Sequence, residues 1–181
     1  KEDIRKIAEE NGLEIAQKKD SQEICFVPEN NYQKFLIGQK QFKVKKGNII
    51  LKTGKVLGKH DGLYKYTIGQ RRGLGISYSE PLYVIGLDTE NNNVVVGKEE
   101  ELYNNELYAE DTNWLVEVNK KEPLVCLAKI RYRAKEAKAT VFFENDKIKV
   151  IFESEQRAIT PGQSVVFYDE NGVLLGGGRI I

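Results

Sequence analysis

The chain has 181 residues, enough for one ordinary domain or two small ones, and its hydrophobic content of 40% with aromatic residues present is typical of a globular protein. No apolar run approaches the length of a membrane span and no signal peptide opens the sequence, so we expect a cytoplasmic protein with no membrane partner. Two cysteines, one histidine and no Cys-x-x-Cys motif exclude a disulfide framework and argue against a metal site. The first residue is Lys1 and a charged helical pattern follows at once, so we expect a piece of a longer protein.

Two short helices are predicted in the first forty residues. Residues 3–11 place apolar side chains on one face, and Gly12 suits the left-handed turn that ends such a helix. Residues 32–37 form the second helix, for which Asn30 or Asn31 supplies the N-terminal cap.

A candidate reactive residue, Cys25, lies between these helices in the segment KKDSQEICFVP, residues 18–28. The thiolate is the nucleophilic form of cysteine. The lysines of the segment would lower the pKa of this thiol and its carboxylates would raise it, so the residues leave the net effect open. The alternative is a buried cysteine that acts as a small hydrophobic residue at the start of a strand.

From residue 42 onward the pattern changes to short strands separated by turn residues, which is typical of a β-barrel or a similar closed sheet. The predicted hairpins pair residues 47–51 with 55–59, 82–88 with 94–98, 137–144 with 147–153, and 163–169 with 173–176. We therefore predict a mainly β protein, with an α+β part over residues 1–97 and an all-β barrel over residues 98–181.

The net charge of +1 conceals a separation of charge along the chain. Residues 43–72 hold nine Lys and Arg against one carboxylate, and residues 88–111 hold eight Asp and Glu against one lysine. A cationic stretch interleaved with tyrosines and glycines suits a nucleic-acid backbone. A solvated lysine-rich face explains the same residues equally well.

The loop YTIGQRRGLGI, residues 66–76, places Arg71 and Arg72 among three glycines. Glycines let backbone amides approach a ligand closely, and the arginine fork matches phosphate oxygens. The glycine spacing is not that of a dinucleotide-binding loop. A structural turn and an RNA-facing loop remain equally open.

The stretch KIRYRAK, residues 129–135, is predicted to be a strand with four cations on one face, and the opposite face carries Tyr132. The cations are Lys129, Arg131, Arg133 and Lys135. This arrangement favours a ridge that contacts a nucleic-acid backbone over a solvated edge strand.

Three other features are assigned structural roles. Cys126 lies in an apolar strand and is expected in the core. His60 and Asp61 are adjacent on a strand, so their side chains point to opposite faces and do not form an acid–base dyad. The triplet at residues 176–178 is followed by too few residues for the helix of a phosphate-binding loop, so we expect close strand packing there.

The cysteine segment resembles that of the bacterial tRNA-specific 2-thiouridylases, enzymes that put sulfur on the wobble uridine of certain tRNAs. Three further stretches resemble the same family in the same order along the chain. They are GKVLGKHDGLYKYTIGQRRGLGI at residues 54–76, KIRYR at 129–133, and AITPGQSVVFY with LGGG between residues 158 and 178.

The resemblance implies a central domain that carries the cysteine and a C-terminal barrel like those of translation factors. It implies that Cys25 carries a persulfide loaded by a sulfur-relay donor protein. It also implies that Arg131, Tyr132 and Gln163 contact tRNA in its anticodon region. Because strict strand alternation cannot send Arg131 and Tyr132 to one surface, a bulge or a strand end is needed there.

The same resemblance implies ATP as a co-substrate that activates the uridine carbonyl by adenylation. The family binds ATP at a Ser-Gly-Gly-x-Asp-Ser loop in an N-terminal domain, which also supplies a second cysteine able to form a disulfide with the persulfide cysteine. Neither the loop nor that cysteine occurs in this sequence. We therefore expect this chain to bind no cofactor itself and to be inactive without the N-terminal domain.

Two alternatives remain. The first is an RNA-binding β-barrel module in which Cys25 is inert. The second is a redox-regulated adaptor, which would need Cys25 and Cys126 close enough to bridge; their placement in separate predicted domains speaks against it.

Overall fold

The computed structural model describes residues 2–17, 27, 31–39, 42–132 and 134–181. It separates into two compact units, Lys1–Val44 and Lys45–Ile181. The division that we predict at residues 97/98 lies inside the second unit and stays a prediction. None of the helices in the described ranges has the length and apolar character needed to cross a membrane.

The first unit contains the helices α1 (Glu2–Glu10) and α2 (Tyr32–Ile37), with a 3₁₀ turn at Glu14–Gln17. Both predicted helices are confirmed. Gly12 follows α1 with φ +67°, the left-handed conformation expected of it. At α2 the cap is Asn31, whose side chain accepts a hydrogen bond of 2.8 Å from the Lys34 amide.

The second unit begins with a four-stranded sheet of order β2-β1-β4-β3. Its strands are β1 (Gly47–Leu51), β2 (Val56–His60), β3 (Tyr83–Asp88) and β4 (Asn93–Gly97). The two predicted hairpins, β1–β2 and β3–β4, are confirmed, and a parallel pairing of β1 with β4 joins them. Ile49, Val84, Val94 and Val96 are fully buried against the sheet, so hydrophobic burial holds the hairpins together.

A buried polar cluster fixes this parallel pairing. The imidazole of His60 is 3.0 Å from the Asn92 carbonyl through Nε2 and accepts the Gly62 amide at Nδ1, also at 3.0 Å. The Asn92 amide donates to the carbonyls of Lys45 and Lys46 at 3.1 and 2.7 Å. His60 is therefore a satisfied structural residue, and no His60–Asp61 dyad is formed.

Six strands form a closed barrel of order β10-β5-β8-β7-β6-β9. They are β5 (Tyr103–Trp114), β6 (Leu124–Lys129), β7 (Ala137–Glu144), β8 (Lys147–Arg157), β9 (Ser164–Tyr168) and β10 (Leu174–Ile180). The mainly β fold with a C-terminal barrel is confirmed, as are the β7–β8 and β9–β10 hairpins. The prediction contained no strand corresponding to β5, because its sequence is charged and polar on the outward face.

The glycine triplet of β10 serves close strand packing, as expected. A Cβ atom at Gly177 would lie 2.8 Å from the Val165 carbonyl oxygen, and one at Gly176 would lie 2.5 Å from that of Asn113. These approaches leave no room for a side chain, so the triplet is part of the barrel wall.

The prediction of a strand over residues 129–135 is wrong beyond its first residue. β6 ends at Lys129, and the Ala134 amide donates to the Arg131 carbonyl at 3.1 Å, which closes a turn. The cause is the antiparallel pairing of β6 with β7, in which Ala128 lies opposite Ala137. The residues between them must reverse the chain direction and cannot remain extended.

The sheet and the barrel share a small hydrophobic cluster within the second unit. Tyr83, Leu102 and Ala158 are buried there, and Ile68 and Ile85 pack against them. The Ala158 amide donates to the Leu102 carbonyl at 2.7 Å. The loop that leaves β8 is thus fixed against the sheet.

The absence of a side chain at Gly47 is a requirement of the parallel pairing. A Cβ atom there would collide with the Asn92 carbonyl oxygen and lie 2.6 Å from Asn92 Nδ2 and 2.7 Å from His60 Nε2. We expect Gly47→Ala to lower the free energy of unfolding by about 3 kcal/mol or more in urea titrations, because the neighbouring backbone cannot relax.

The control is Gly86→Ala on β3 of the same sheet, where the nearest atom to a new Cβ is 3.9 Å away. We expect that variant to change stability by no more than about 0.5 kcal/mol. Equal losses in the two variants would contradict the packing argument.

Candidate nucleic-acid interface

Arg131 follows the end of β6 and ties it to the loop after β8. Its Nη2 group donates to the Ala158 carbonyl and to Thr160 Oγ1, the latter at 2.9 Å. The Thr160 hydroxyl donates to the same Ala158 carbonyl at 2.9 Å. Ala158 itself is buried with φ +56°, a conformation that an L residue adopts at a cost, so the arginine holds a strained turn in place.

The guanidinium of Arg131 lies in a partly dehydrated, cationic environment. Burial lowers its pKa below the ordinary value for arginine, and the neighbouring charge of Arg157 lowers it further. Arginine nevertheless stays charged at neutral pH. A nearby anion would therefore stabilise this guanidinium, because it would offset the loss of hydration and the repulsion from Arg157.

Tyr132 projects from the turn that follows Arg131, and 94% of its surface is exposed. The end of the strand, rather than a bulge, frees it from the alternation that would have directed it away from the Arg131 surface. An aromatic ring in solvent beside cations is suited to stacking on an unpaired base.

Gln163 sits at the start of β9 with its backbone held and its side chain exposed. The Ile180 amide donates to the Gln163 carbonyl, and the Gly162 amide donates to the Ile180 carbonyl, both at 2.8 Å. Gly162 adopts φ +86°, which turns the chain at this point. The barrel therefore fixes the backbone of Gln163, and the side-chain amide is exposed to solvent.

These residues line one surface groove of about 810 Å³, here called the first groove. Its polar lining includes Lys129, Arg131, Tyr132 and Gln163. Lys129 is partly neutralised by Glu136, whose carboxylate lies 3.5 Å from its ammonium group. Residues from two separate sequence stretches, 129–132 and 162–168, thus meet at one site that can present a guanidinium, a phenol ring and an amide to the same ligand.

The arginine–glycine loop is a preorganised structure. The Gln70 amide accepts the Thr67 backbone N–H and donates to the Arg72 carbonyl, each at 3.0 Å. Gly73 and Gly75 adopt φ +75° and +68°. Arg71 and Arg72 are exposed, and neither makes a salt bridge with another described residue.

The loop approaches the barrel at Gly69, whose conformation is left-handed at φ +89°. A Cβ atom there would lie 3.2 Å from the Ala158 Cβ and 3.6 Å from Arg157 Nη1. Through Ala158, the loop and the Arg131 site therefore share one supporting segment.

Three domain models of known families match the chain in succession. A tRNA methyl transferase HUP domain matches residues 1–29, a tRNA methyl transferase PRC-barrel domain matches residues 33–98, and an aminomethyltransferase beta-barrel domain matches residues 104–180. Similar curated proteins include the tRNA-specific 2-thiouridylases MnmA 2 of Clostridium botulinum (49% identity), MnmA of Acetivibrio thermocellus (49%) and MnmA 1 of Clostridium tetani (50%). Each alignment covers 99% of this chain and 50–51% of the relative.

The chain belongs to the tRNA-specific 2-thiouridylase family. It spans about half the length of the curated relatives it matches. The resemblance inferred from the four sequence stretches is confirmed. The roles of the individual site residues are not tested by this likeness and stay predictions.

Two of the predicted site residues, Cys25 and Arg133, lie outside the residues that the structure describes. Sequence reasoning missed the partners of Arg131, which are Thr160 and the Ala158 carbonyl. It also missed Arg157. No sequence signal marks that arginine, because a single cation at the end of a strand is typical of any solvated strand.

The glycine-rich stretches of this chain do not fit the phosphates of ATP. In the described residues, the loop at 69–75 leads into no helix, and residues 176–178 are a strand whose amide faces are closed by neighbouring backbone. The Ser-Gly-Gly-x-Asp-Ser motif of the family is absent from the sequence.

Cys126 is a core residue of the barrel, as predicted. Only 5% of it is exposed, and burial raises the pKa of its thiol from 9.0 to about 11. It is therefore protonated and inaccessible at neutral pH, which excludes it as a reactive thiol and argues against a redox adaptor built on it.

The raised pKa of Cys126 predicts a loss of stability in alkali. The thiol ionises near pH 9 in the unfolded chain and near pH 11 in the folded chain. The free energy of unfolding therefore falls as pH rises between these values. We expect this group to account for a fall of about 2–3 kcal/mol in the free energy of unfolding. Urea titrations at several pH values, with Cys126→Ala as the comparison, would measure it. An identical pH dependence in the two proteins would contradict the assignment.

Proposed function

We propose that this chain is the part of a tRNA-uridine 2-sulfurtransferase that supplies the persulfide cysteine, Cys25, and a tRNA-binding surface. The observation that carries the proposal is the first groove, which brings together Arg131, Tyr132 and Gln163 from two stretches of a chain in the 2-thiouridylase family. These are the residues for which the resemblance implies tRNA contact. The substrate of this proposal is the wobble uridine in the anticodon region of tRNA.

The first groove suits single-stranded RNA in its chemistry. A solvent-exposed tyrosine ring offers a stacking surface for a splayed base, and the adjacent guanidinium offers charge-assisted hydrogen bonds to phosphate. The exposed amide of Gln163 can donate and accept, which suits a base edge or a ribose hydroxyl. Arg71, Arg72 and Arg133 are proposed as further RNA-facing cations.

The charge distribution supports the same proposal. Within the described residues, Asp61 is shared by Lys46 at 3.6 Å and Lys65 at 3.9 Å, and Lys52 lies 4.0 Å from Glu101. Such exposed pairs contribute little and leave the surface attractive to polyanions. Several acids of residues 88–111 instead pair with cations of the barrel, including Glu106 with Lys149 at 2.9 Å and Asp111 with Arg179 at 2.7 Å.

In the proposed chemistry, the terminal sulfur of a Cys25 persulfide attacks the activated ring carbon of the uridine. The carbonyl oxygen leaves with the group that activated it, and cleavage of the S–S bond leaves the sulfur on the base. A second thiolate attacks the Sγ atom of Cys25 and forms a disulfide with it, and the electron pair of the broken S–S bond stays on the sulfur that is left on the base. Cys126 does not fit the second role, because it is buried and protonated.

Activation of the uridine carbonyl by ATP is assigned in this proposal to residues outside this chain, in an N-terminal domain of the same enzyme. The sulfur on Cys25 comes from a sulfur-relay donor protein. The chain alone is accordingly expected to bind RNA and to lack thiolation activity. A cytoplasmic location is part of the proposal, since the substrate is a tRNA.

The role of Cys25 is tested in the full-length enzyme. We expect Cys25→Ser to abolish sulfur incorporation into tRNA while tRNA-dependent release of pyrophosphate from ATP continues, because only the sulfur carrier is lost. Cys126→Ala in the same enzyme is the control and should keep thiolation, since that thiol is structural. Retained thiolation by Cys25→Ser would refute the assignment and leave an RNA-binding barrel.

The role of Tyr132 is tested by the binding of this chain to an anticodon stem-loop RNA. Affinity should fall steeply with salt, and Tyr132→Ala should weaken binding about tenfold, within the range of about 1–3 kcal/mol for stacking on one base. The salt dependence should be unchanged, because no charge is removed. Tyr132→Phe keeps the ring and should bind like the parent. Binding that is independent of salt, or equal losses in both variants, would contradict the proposed contact.

A further inference from the structure

A second groove of about 500 Å³ lies beside the first and shares Ile130 and Arg131 with it. Its polar wall is formed by residues from the turn after β6 and from the end of β8, namely Lys135, Glu136, Ser154, Gln156 and Arg157. None of these is among the residues for which the family resemblance implies tRNA contact. The two grooves therefore meet at the Arg131 guanidinium.

Arg157 is held by an acid and an aromatic ring. Its Nε is 3.6 Å from a carboxylate oxygen of Glu99, and its guanidinium carbon lies 5.6 Å from the ring centre of Tyr83. The Tyr83 hydroxyl donates to the other oxygen of Glu99 at 3.3 Å. This support holds the Arg157 guanidinium in place, and its charge is close enough to Arg131 to lower the pKa of that arginine.

Lys135 adds a third cation to the lining of the second groove. It is exposed, and it has no ion-pair partner among the residues that the structure describes. Glu136, the acid of this groove, is bound to Lys129 at 3.5 Å. The Gln156 amide donates to Ser154, at 2.9 Å to its carbonyl and 3.3 Å to its hydroxyl, so these two lining residues are polar and uncharged.

We propose that the RNA-binding surface continues past Arg131 into this second groove, where Arg157 and Lys135 bind the next backbone phosphate of the RNA. The inference rests on the proposed function and extends it to residues outside the first groove. Three cations around one groove, of which only Arg157 has a carboxylate partner among the described residues, form a receptor for a phosphodiester oxygen.

Arg157 lies between two other features that could contact the bound strand. Its Nη1 group lies beside Gly69, at 3.6 Å from the Cβ that a side chain there would have, and that glycine begins the turn carrying Arg71 and Arg72. On its other side, Arg131 leads to Tyr132 and the first groove. A strand in the second groove is therefore flanked by the base-stacking tyrosine at one end and by the arginine–glycine loop at the other.

The lowered pKa of Arg131 agrees with this arrangement. Burial is the larger cause and the charge of Arg157 the second. A phosphate between the two guanidiniums would replace their repulsion with two attractive interactions.

The test measures binding of an anticodon stem-loop RNA to this chain as a function of salt. We expect Lys135→Gln to reduce the slope of log affinity against log salt by about one, as is typical for the loss of one phosphate contact. The double variant Lys135→Gln/Arg157→Gln should reduce it further. Lys121→Gln is the matched control, because its turn precedes the start of β6, whereas the grooves lie beyond its end.

A second readout avoids any effect of Arg157 on folding. Acylation of lysines in the presence and absence of RNA, read by mass spectrometry, should show Lys135 protected by RNA and Lys121 unprotected. A parent chain that binds RNA, with an unchanged slope for Lys135→Gln and no protection of Lys135, would overturn this inference alone. A parent chain that fails to bind RNA even at low salt would refute the proposed function, and this inference with it.

Discussion

The Arg131 guanidinium is the interaction on which the candidate site depends. It joins the end of β6 to the Ala158–Thr160 turn, two places that the barrel brings together from distant parts of the sequence. Ala158 also lies against Gly69 of the arginine–glycine loop, and its backbone amide donates to the Leu102 carbonyl. One short turn therefore supports the barrel, the neighbouring sheet and this loop. A planar donor with several N–H groups suits this task, because a lysine cannot hold two acceptors in a fixed geometry.

This clamp gives Arg131 a structural role beside any contact with RNA. Its Nη2 group is bound to the protein, so in the proposed function an RNA phosphate would meet the remaining N–H groups of the same guanidinium. In the proposed function, Arg131 would thus contact both the bound strand and the turn that precedes Gln163. Preorganisation of this kind lowers the entropy lost on binding, because the donors are already in place.

In the part of the chain that the structure describes, the cations proposed to face RNA have few acidic partners, which preserves their attraction for a polyanion. Several acids among the described residues form surface pairs away from the grooves, such as Glu106–Lys149 and Lys98–Glu80, both at 2.9 Å. The hydrogen bond to Lys149 is the main cause that lowers the pKa of Glu106, and the hydrogen bond to Glu80 raises that of Lys98. The cations around the two grooves have fewer such partners among the described residues, which is what a surface for a polyanion requires.

The sequence by itself determined the helices of the first unit, the hairpins, the β-barrel and the family. These follow from local signals: caps at Asn31 and Gly12, turn residues between apolar runs, and motifs read along the chain. Only the tertiary structure decided the parallel β1–β4 pairing, the end of β6 at Lys129 and the meeting of Arg131 with Thr160 and Arg157. These features depend on contacts between residues far apart in sequence, whose partners leave no periodic signal in either stretch. The strand predicted over residues 129–135 failed for this reason, since the pairing of β6 with β7 forces a turn that the alternating cations do not reveal.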